Sequence, residues 1–252
     1  MSRHPDSVSA GIGHRQSARR SEYPATELLI RGESDLQNYH EWVVNLFLLH
    51  SAKQNSDGSR ILDFGAGAGA LSRIFEEKTG LKPDGVELDD RLREILCGRG
   101  FRGYASVSEL NDSYDVIFSS NVLEHIEDDV MALKELRRKL KDDGVLLLYV
   151  PAFTLIWSSM DDRVGHYRRY TKRTLSQKLQ AAGYRVSAAR YCDSLGFVLS
   201  ILFKLFGSRS GEPSSRSLRM FDRYVLPVST LCDVPLHALF GKNVFVAASK
   251  TD

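Results

Sequence analysis

The sequence predicts an α/β fold with a mostly parallel sheet and helices on both faces. Three observations carry this. Short apolar runs of strand length alternate with stretches of helical period along most of the 252 residues. A glycine-rich turn joins the first such run to the next helix. Val145 to Val150 is an unbroken apolar run, as expected of a parallel strand covered on both faces.

The elements follow in order. Leu36, Tyr39, Val43, Leu46 and Phe47 recur at helical spacing, so a helix precedes the first strand. Ser56-Asp57-Gly58 is a turn, and Ile61 to Phe64 a buried strand. Gly65 to Gly69 form the glycine turn, and a helix runs from Ala70 to Lys78 and stops at Gly80. Gly85 to Leu88 is the second strand, followed by a helix from Asp89 to about Cys97. A short strand is expected near Arg102 to Ala105, and a clearer one at Tyr114 to Phe118. Asp128 can cap a helix from Asp129 to Leu140, with Gly144 as its stop. Thr171 can cap another that reaches Ala182 and ends at Gly183. Tyr184 to Tyr191 and Asn243 to Ala248 are the last strands.

Composition narrows the class. With 42% hydrophobic and 26% charged residues the chain is an ordinary globular one, and a net charge of +2 gives no general affinity for nucleic acid. Positive charge gathers at the start, where Arg3, Arg15, Arg19 and Arg20 face a lone Asp6. Residues 1–22 are therefore expected as a disordered basic tail, and 23–252 as one domain. Cys97, Cys192 and Cys232 have no paired spacing, so neither a disulfide framework nor a bound metal is expected, and a reducing, cytoplasmic setting fits. Leu195 to Phe206 is the most apolar run, well short of the roughly 20 residues that span a bilayer.

The glycine turn carries the first functional reading. Gly65, Gly67 and Gly69 let backbone N–H groups approach a ligand, and Glu87 ends the next strand about 20 residues on, where a carboxylate can accept both hydroxyls of a ribose. Together they imply a nucleoside-containing cofactor. Gly65-x-Gly67-x-x-Ala70 also satisfies the dinucleotide pattern, so glycine spacing leaves an NAD(P)-dependent oxidoreductase open. Asp63 favours a different ligand: a carboxylate inside the strand suits a cationic amino-acid head group and repels a pyrophosphate.

Several motifs in order resemble class I S-adenosylmethionine (SAM)-dependent methyltransferases. Ile61-Leu62-Asp63-Phe64-Gly65-Ala66-Gly67-Ala68-Gly69 is similar to their first motif. Tyr114 to His125 resembles their fourth strand and the Leu-Glu-His after it, and Leu140-Lys141-Asp142-Asp143-Gly144-Val145 resembles their Leu-Lys-Pro-Gly-Gly turn, with Asp142 in place of proline. The resemblance implies a Rossmann-like seven-stranded sheet with an antiparallel last strand, and SAM as cofactor. It implies that Gly65, Ala66 and Gly67 lie against the methionine part, with Asp63 nearby and Asn121 and Ser120 at the methionine end. Glu87 would take the ribose and Leu88 the adenine face. Ala105 or Ser106 would border the adenine, where the family's frequent aspartate is missing. Tyr39 either closes over the cofactor or is a core aromatic. Glu124 and His125 are expected to shape their turn.

Two stretches exceed the minimal sheet. Residues 151–170 leave the end of a central strand, where ligands of open α/β sheets bind. The segment contains Trp157, Asp161, Asp162, Arg163, His166, Tyr167, Arg168 and Arg169, and a similar Asp…Gly-His-Tyr-Arg-Arg-Tyr stretch occurs in a bacterial subgroup of the family. His166 is the candidate base, oriented by Asp161 or Asp162. Trp157, Arg163, Tyr167 and Arg168 are candidate substrate contacts, the arginines suiting an acidic group; Arg169 has a structural salt bridge as its alternative. The second stretch, 193–242, is expected as a helical insertion. Its apolar part is open to four uses: a lid, a dimer interface, a peripheral membrane contact through 194–207, or core packing. The leading expectation is methylation of a small molecule, acidic or lipid-linked, at an oxygen or nitrogen. Besides the oxidoreductase, a non-catalytic SAM-binding partner protein competes with it. Nucleic-acid methylation has neither an Asn-Pro-Pro-Tyr-like motif nor a broad basic surface behind it.

Overall fold

The computed structural model describes residues 26–206 and 214–251, so the expected tail 1–22 lies outside the described residues. The strands are β1 (Ile61–Phe64), β2 (Asp84–Val86), β3 (Arg102–Tyr104), β4 (Tyr114–Ser120), β5 (Leu140–Pro151), β6 (Tyr184–Cys192) and β7 (Asn243–Lys250). They form one sheet in the order β3-β2-β1-β4-β5-β7-β6, in which β7 runs antiparallel to both of its neighbours and the other six strands are parallel. This is the Rossmann-like methyltransferase arrangement that the motifs implied.

Alternation along the strands builds a core on each face. Ile117, Leu146 and Leu148 turn to one face and pack with Leu133, Leu136, Leu175 and Leu179 from α5 (Asp129–Lys139) and α7 (Lys172–Ala181). Val116, Phe118 and Leu147 turn to the other and pack with Val43, Phe47, Ile74 and Phe75 from α2 (Gln37–Ser51) and α3 (Ala70–Thr79). Local caps set several helix ends. Asp89 accepts from Leu92 N–H at the start of α4 (Asp90–Gly98), Asp128 from Met131 N–H at α5, and Thr171 from Thr174 N–H at α7. Gly80 closes α3 at φ 73°, a left-handed position that suits glycine.

Three local expectations change. A separate helix α1 (Thr26–Asp35) precedes α2. Glu87 lies just beyond β2 rather than within it. Gly144 does not stop α5: the chain passes from Lys139 directly into β5, and Gly144 is buried inside that strand.

The registers place both long stretches at one sheet edge. Pro151, at the end of β5, pairs with Asn243, which also pairs with Cys192 at the end of β6. Residues 151–170, with the one-turn α6 (Ser159–Arg163), therefore leave the same edge as 193–242, the edge where the parallel strands end. The second stretch holds α8 (Ser194–Phe206), α9 (Ser215–Met220), a π-helical turn at Phe221–Val225 and α10 (Leu226–Leu236). Buried carboxylates fasten it. Asp233 accepts from Asp193 and Ser194 N–H, both at 2.8 Å, at the start of α8. Asp222 accepts from Asn38 and Tyr39 N–H at 3.0 and 2.8 Å, capping α2 from far along the chain. Asp35 pairs with Arg219 at 2.7 Å. Core packing accounts for only one side of α8. Phe197 is buried against Phe153 and Phe240, whereas Leu199, Leu202, Phe203 and Leu205 are exposed, as are Leu231 and Val234 on α10, which packs beside it. No helix among the described residues is long and apolar enough to cross a membrane.

Replacing Asp233 with alanine strands two buried N–H groups. Asp233→Ala should lower the unfolding free energy by about 1–3 kcal/mol in chemical denaturation, while Asp142→Ala, at an exposed carboxylate, should leave it nearly unchanged. Equal stability of the two variants would refute this role for Asp233.

Candidate active site

The glycine turn is fastened to its neighbours before it meets any ligand. Gly65 and Ala66 N–H both donate to Val86 O, at 2.8 and 3.0 Å. Gly65 has φ 79°, and a Cβ there would lie 2.1 Å from Val122 Cγ2, so only glycine fits. Gly67, at φ 54°, has nothing within 4 Å of such a Cβ: here the backbone turns an open face outward. Its N–H donates to Glu87 Oε2 at 2.8 Å, and Asp89 N–H donates to Oε1 at 2.9 Å. A carboxylate has about four acceptor sites, so Glu87 keeps acceptor capacity beyond these bonds. Burial raises its pKa and the Asp89 charge adds to the rise, with the backbone N–H groups of Asp89, Gly67 and Leu88 opposing it. Leu88 beside it is exposed, at 72%.

Asp63 is buried rather than open to a ligand. Ser72 Oγ donates to its Oδ2 at 2.7 Å, which ties β1 to α3. Burial pushes its carboxyl up to about 7, with Ser72 opposing and the Glu87 charge adding to the rise. Ser120 is half-buried and Asn121 exposed at the end of β4. Asn121 sits at φ 55°, a strained value for a residue with a side chain, with its N–H on Tyr149 O at 2.7 Å. Asn243 Nδ2 donates to Asn121 Oδ1 at 3.3 Å; sequence reading passed over Asn243, whose role depends on a strand pairing. The Tyr39 hydroxyl lies beside the side chains of Tyr149 and Asn121, and its ring meets that of Tyr149 edge-on. It is half-buried, which combines core and cofactor-side positions. Ala105 and Ser106 are half-buried after β3; Ala105 N–H donates to Glu109 at 2.9 Å and Ser106 Oγ lies 2.7 Å from Ser108 Oγ.

Residues 151–170 are organised by Asp161. Ser158 N–H donates to its Oδ2 at 2.8 Å, Arg169 Nε and Nη2 donate to its two oxygens at 2.7 and 3.0 Å, and His166 Nδ1 lies 2.7 Å from Oδ1. Burial alone would raise this carboxyl, but His166 and Arg169 outweigh it and hold the pKa well below the usual carboxylate range. Asp161 thus orients His166. Asp162 does not: its Oδ1 accepts from the Trp157 indole at 2.9 Å. Arg168 is committed to the frame, with Nη1 on Asp129 and Nη2 on Glu127 O, both at 2.7 Å. Arg169 takes its salt-bridge role. Tyr167 and Arg163 are exposed and Trp157 is half-buried.

A further group forms from residues distant in sequence. Glu124 is fully buried, and no other described residue donates a hydrogen bond to its carboxylate, which has only its own backbone N–H near it. Burial pushes its carboxyl up to about 8. His166 Nε2 lies 3.8 Å from Glu124 Oε1, and the His125 and His166 rings meet edge-on at 4.6 Å. Burial and the His166 charge bring His125 down to about 4. No metal was expected from the sequence, yet this is a carboxylate and two imidazoles in one place.

Residues 37–189 match the model of the methyltransferase domain family, and the chain belongs to that family. It is a methyltransferase with SAM as its cofactor. No curated protein matches the chain. Among solved structures it is similar to a putative sarcosine dimethylglycine methyltransferase from Galdieria sulphuraria, at 19% identity and TM-score 0.58, covering 85% of each chain. It is also similar to a SAM-dependent methyltransferase from Archaeoglobus fulgidus, at 21% identity and TM-score 0.54, covering 83% of this chain and 94% of that one. The [4+2]-cyclase SpnF matches at 17% identity and TM-score 0.56 over 83% and 81% of the chains, so likeness of fold does not fix the reaction. The oxidoreductase alternative falls with the family assignment.

The residues present fit the cofactor: an open left-handed glycine, a carboxylate with spare acceptor sites and an exposed apolar side chain follow one another along the β1 and β2 ends. Glu87→Ala should weaken SAM binding by about 1.5–3 kcal/mol in titration calorimetry; unchanged affinity would undo the ribose assignment. The raised Asp63 adds a pH dependence. A cationic ligand favours its ionised form, which the free protein populates only as pH rises through about 7. SAM affinity should therefore increase from about pH 6 to about pH 8, and Asp63→Asn should flatten that rise. Identical profiles for the two proteins would remove Asp63 from the linkage.

Proposed function

We propose that this methyltransferase acts on a small-molecule acceptor with an oxygen or nitrogen nucleophile, carried on an apolar or lipid-like group. The observation that carries the reading is the shared edge: the cofactor turn, the 151–170 segment and the partly exposed α8–α10 pair all meet where the parallel strands end. When bound, SAM supplies an electrophilic methyl group on a cationic sulfur that leaves as a neutral thioether. The protein's part is alignment and proton removal. Trp157 and Tyr167 offer aromatic surface to the acceptor, and Arg163 a charge. Asp161 fixes His166 Nδ1, so Nε2 is the atom that takes the acceptor's proton.

An acidic acceptor has less support than an apolar one. Arg168 and Arg169 are consumed by Asp129 and Asp161. In contrast, exposed apolar side chains recur along α8 at Val198, Leu199, Leu202, Phe203 and Leu205. Such a face favours a peripheral lipid contact through 194–207 by burying apolar area. Residues 23–252 act as one unit in this reading, with 151–170 and 193–242 forming the acceptor side.

Methyl-labelled SAM incubated with the protein and cell extract should place label in the organic-soluble fraction. Label confined to small polar products would overturn the lipid-like acceptor. With the acceptor in hand, His166→Ala should reduce kcat by roughly 10²–10⁴-fold with SAM affinity retained; unchanged kcat would exclude His166 from proton transfer.

A further inference from the structure

We propose that Glu124, His125 and His166 form a binding site for one divalent transition-metal ion of the zinc type. One ligand atom from each residue lies within 4.8 Å of the other two. A carboxylate with two imidazoles is a donor set that suits Zn²⁺ and related ions. Glu124 supplies the independent observation. It is fully buried, yet no other described residue donates a hydrogen bond to its oxygens. Burying a carboxylate in this way is costly unless a cation meets it.

The geometry separates a metal site from an ordinary ion pair. A His166–Glu124 hydrogen bond would bring the two atoms to about 2.8 Å. They stand at 3.8 Å, near the ~3.4 Å between two ligands on one tetrahedral ion with bonds of about 2.1 Å. Both imidazoles are held by oxygen acceptors. His166 Nδ1 is held by Asp161, and the His125 ring by the carbonyls of Val164 and Gly165. Oxygen acceptors at the far nitrogen of metal-bound histidines fix the tautomer and aim the other nitrogen at the ion. The nearby charges also agree. Arg169 hydrogen-bonds Asp161 rather than Glu124 and only partly opposes the rise that burial causes in Glu124, so the ionised form of Glu124 calls for a further cation.

Glu124 follows Asn121 by one short turn, which sets this group beside the methionine end of the cofactor site. An ion here would occupy His166 Nε2 and so compete with its role as base: metal-free protein would use His166, whereas loaded protein would instead lower the pKa of an acceptor oxygen that reached the ion. That role rests on the proposed function; metal binding does not.

The test uses full-length protein stripped with a chelator and then titrated with Zn²⁺ in the absence of any acceptor. One equivalent should bind, and Glu124→Gln, His125→Ala and His166→Ala should each weaken it at least about 10-fold. Asp161→Asn should weaken it less, and His237→Ala, at a histidine on the α10 end, not at all. Wild-type binding no tighter than that of Glu124→Gln or His166→Ala overturns the site. Co²⁺ loading of the wild type avoids dependence on variants that fail to fold: visible bands without a thiolate charge-transfer band support the site, and a thiolate band or no uptake overturns it. Zn²⁺ bound here without methyl transfer would retain this inference and sink the proposed function, whereas methyl transfer with no Zn²⁺ affinity would do the reverse.

Discussion

The close approach of Val122 to Gly65 governs the ligand edge of this protein. No side chain fits between them, so the turn after β1 and the turn after β4 interlock. The consequences run along the chain in both directions. Gly67 is left facing outward with its N–H on Glu87. Asn121 is forced into a left-handed conformation, which Tyr149 O stabilises by accepting its N–H. The 3-10 turn at Leu123–His125 then drives Glu124 inward and brings its carbonyl to Tyr167 N–H at 2.8 Å. Cofactor side and acceptor side are thus positioned by one contact between two turns.

What the sequence makes legible is what depends on near neighbours. Most strand runs, the Asp128 and Thr171 caps and the Gly80 stop each involve residues within one turn of one another, and each stands as expected. The Asp161–His166 pair is similarly local. Distant partners account for the departures. Asp162 cannot orient His166 because the Trp157 indole occupies it. Arg168 cannot be assigned to a substrate without knowing that Asp129 lies opposite. Helix α1 is held by α9 through Asp35–Arg219, and the true cap of α2 is Asp222. The Glu124, His125 and His166 group joins residues about 40 positions apart (a separation that no metal-spacing pattern covers).

Charge in the interior follows one rule with one exception. Asp129 is met by Lys178, Arg168 and Tyr170, and their hydrogen bonds outweigh burial so that its pKa is lowered. Asp161 is met by Arg169 and His166. Asp222 and Asp233 are met by helix N–H groups. Each of these carboxylates fastens two parts of the frame. Glu124 fastens nothing through its side chain, and Asp63, with a single hydroxyl donor, is the nearest to it in kind. Both lie at the ligand edge, and in both burial lifts the carboxyl toward neutrality.

The pairing of Cys192 with Asn243 has a consequence for how such a chain can diversify. Residues 193–242 leave and re-enter the sheet at cross-strand neighbours, so the ladder between β6 and β7 already holds the two ends of the excursion together. Closing a longer or shorter excursion there changes the free energy only slowly with length. The register of β7 against β5 is set independently, by six paired residues. This segment can therefore change in length at little cost in chain closure, provided that its fastenings to α1 and α2 through Arg219 and Asp222 are kept.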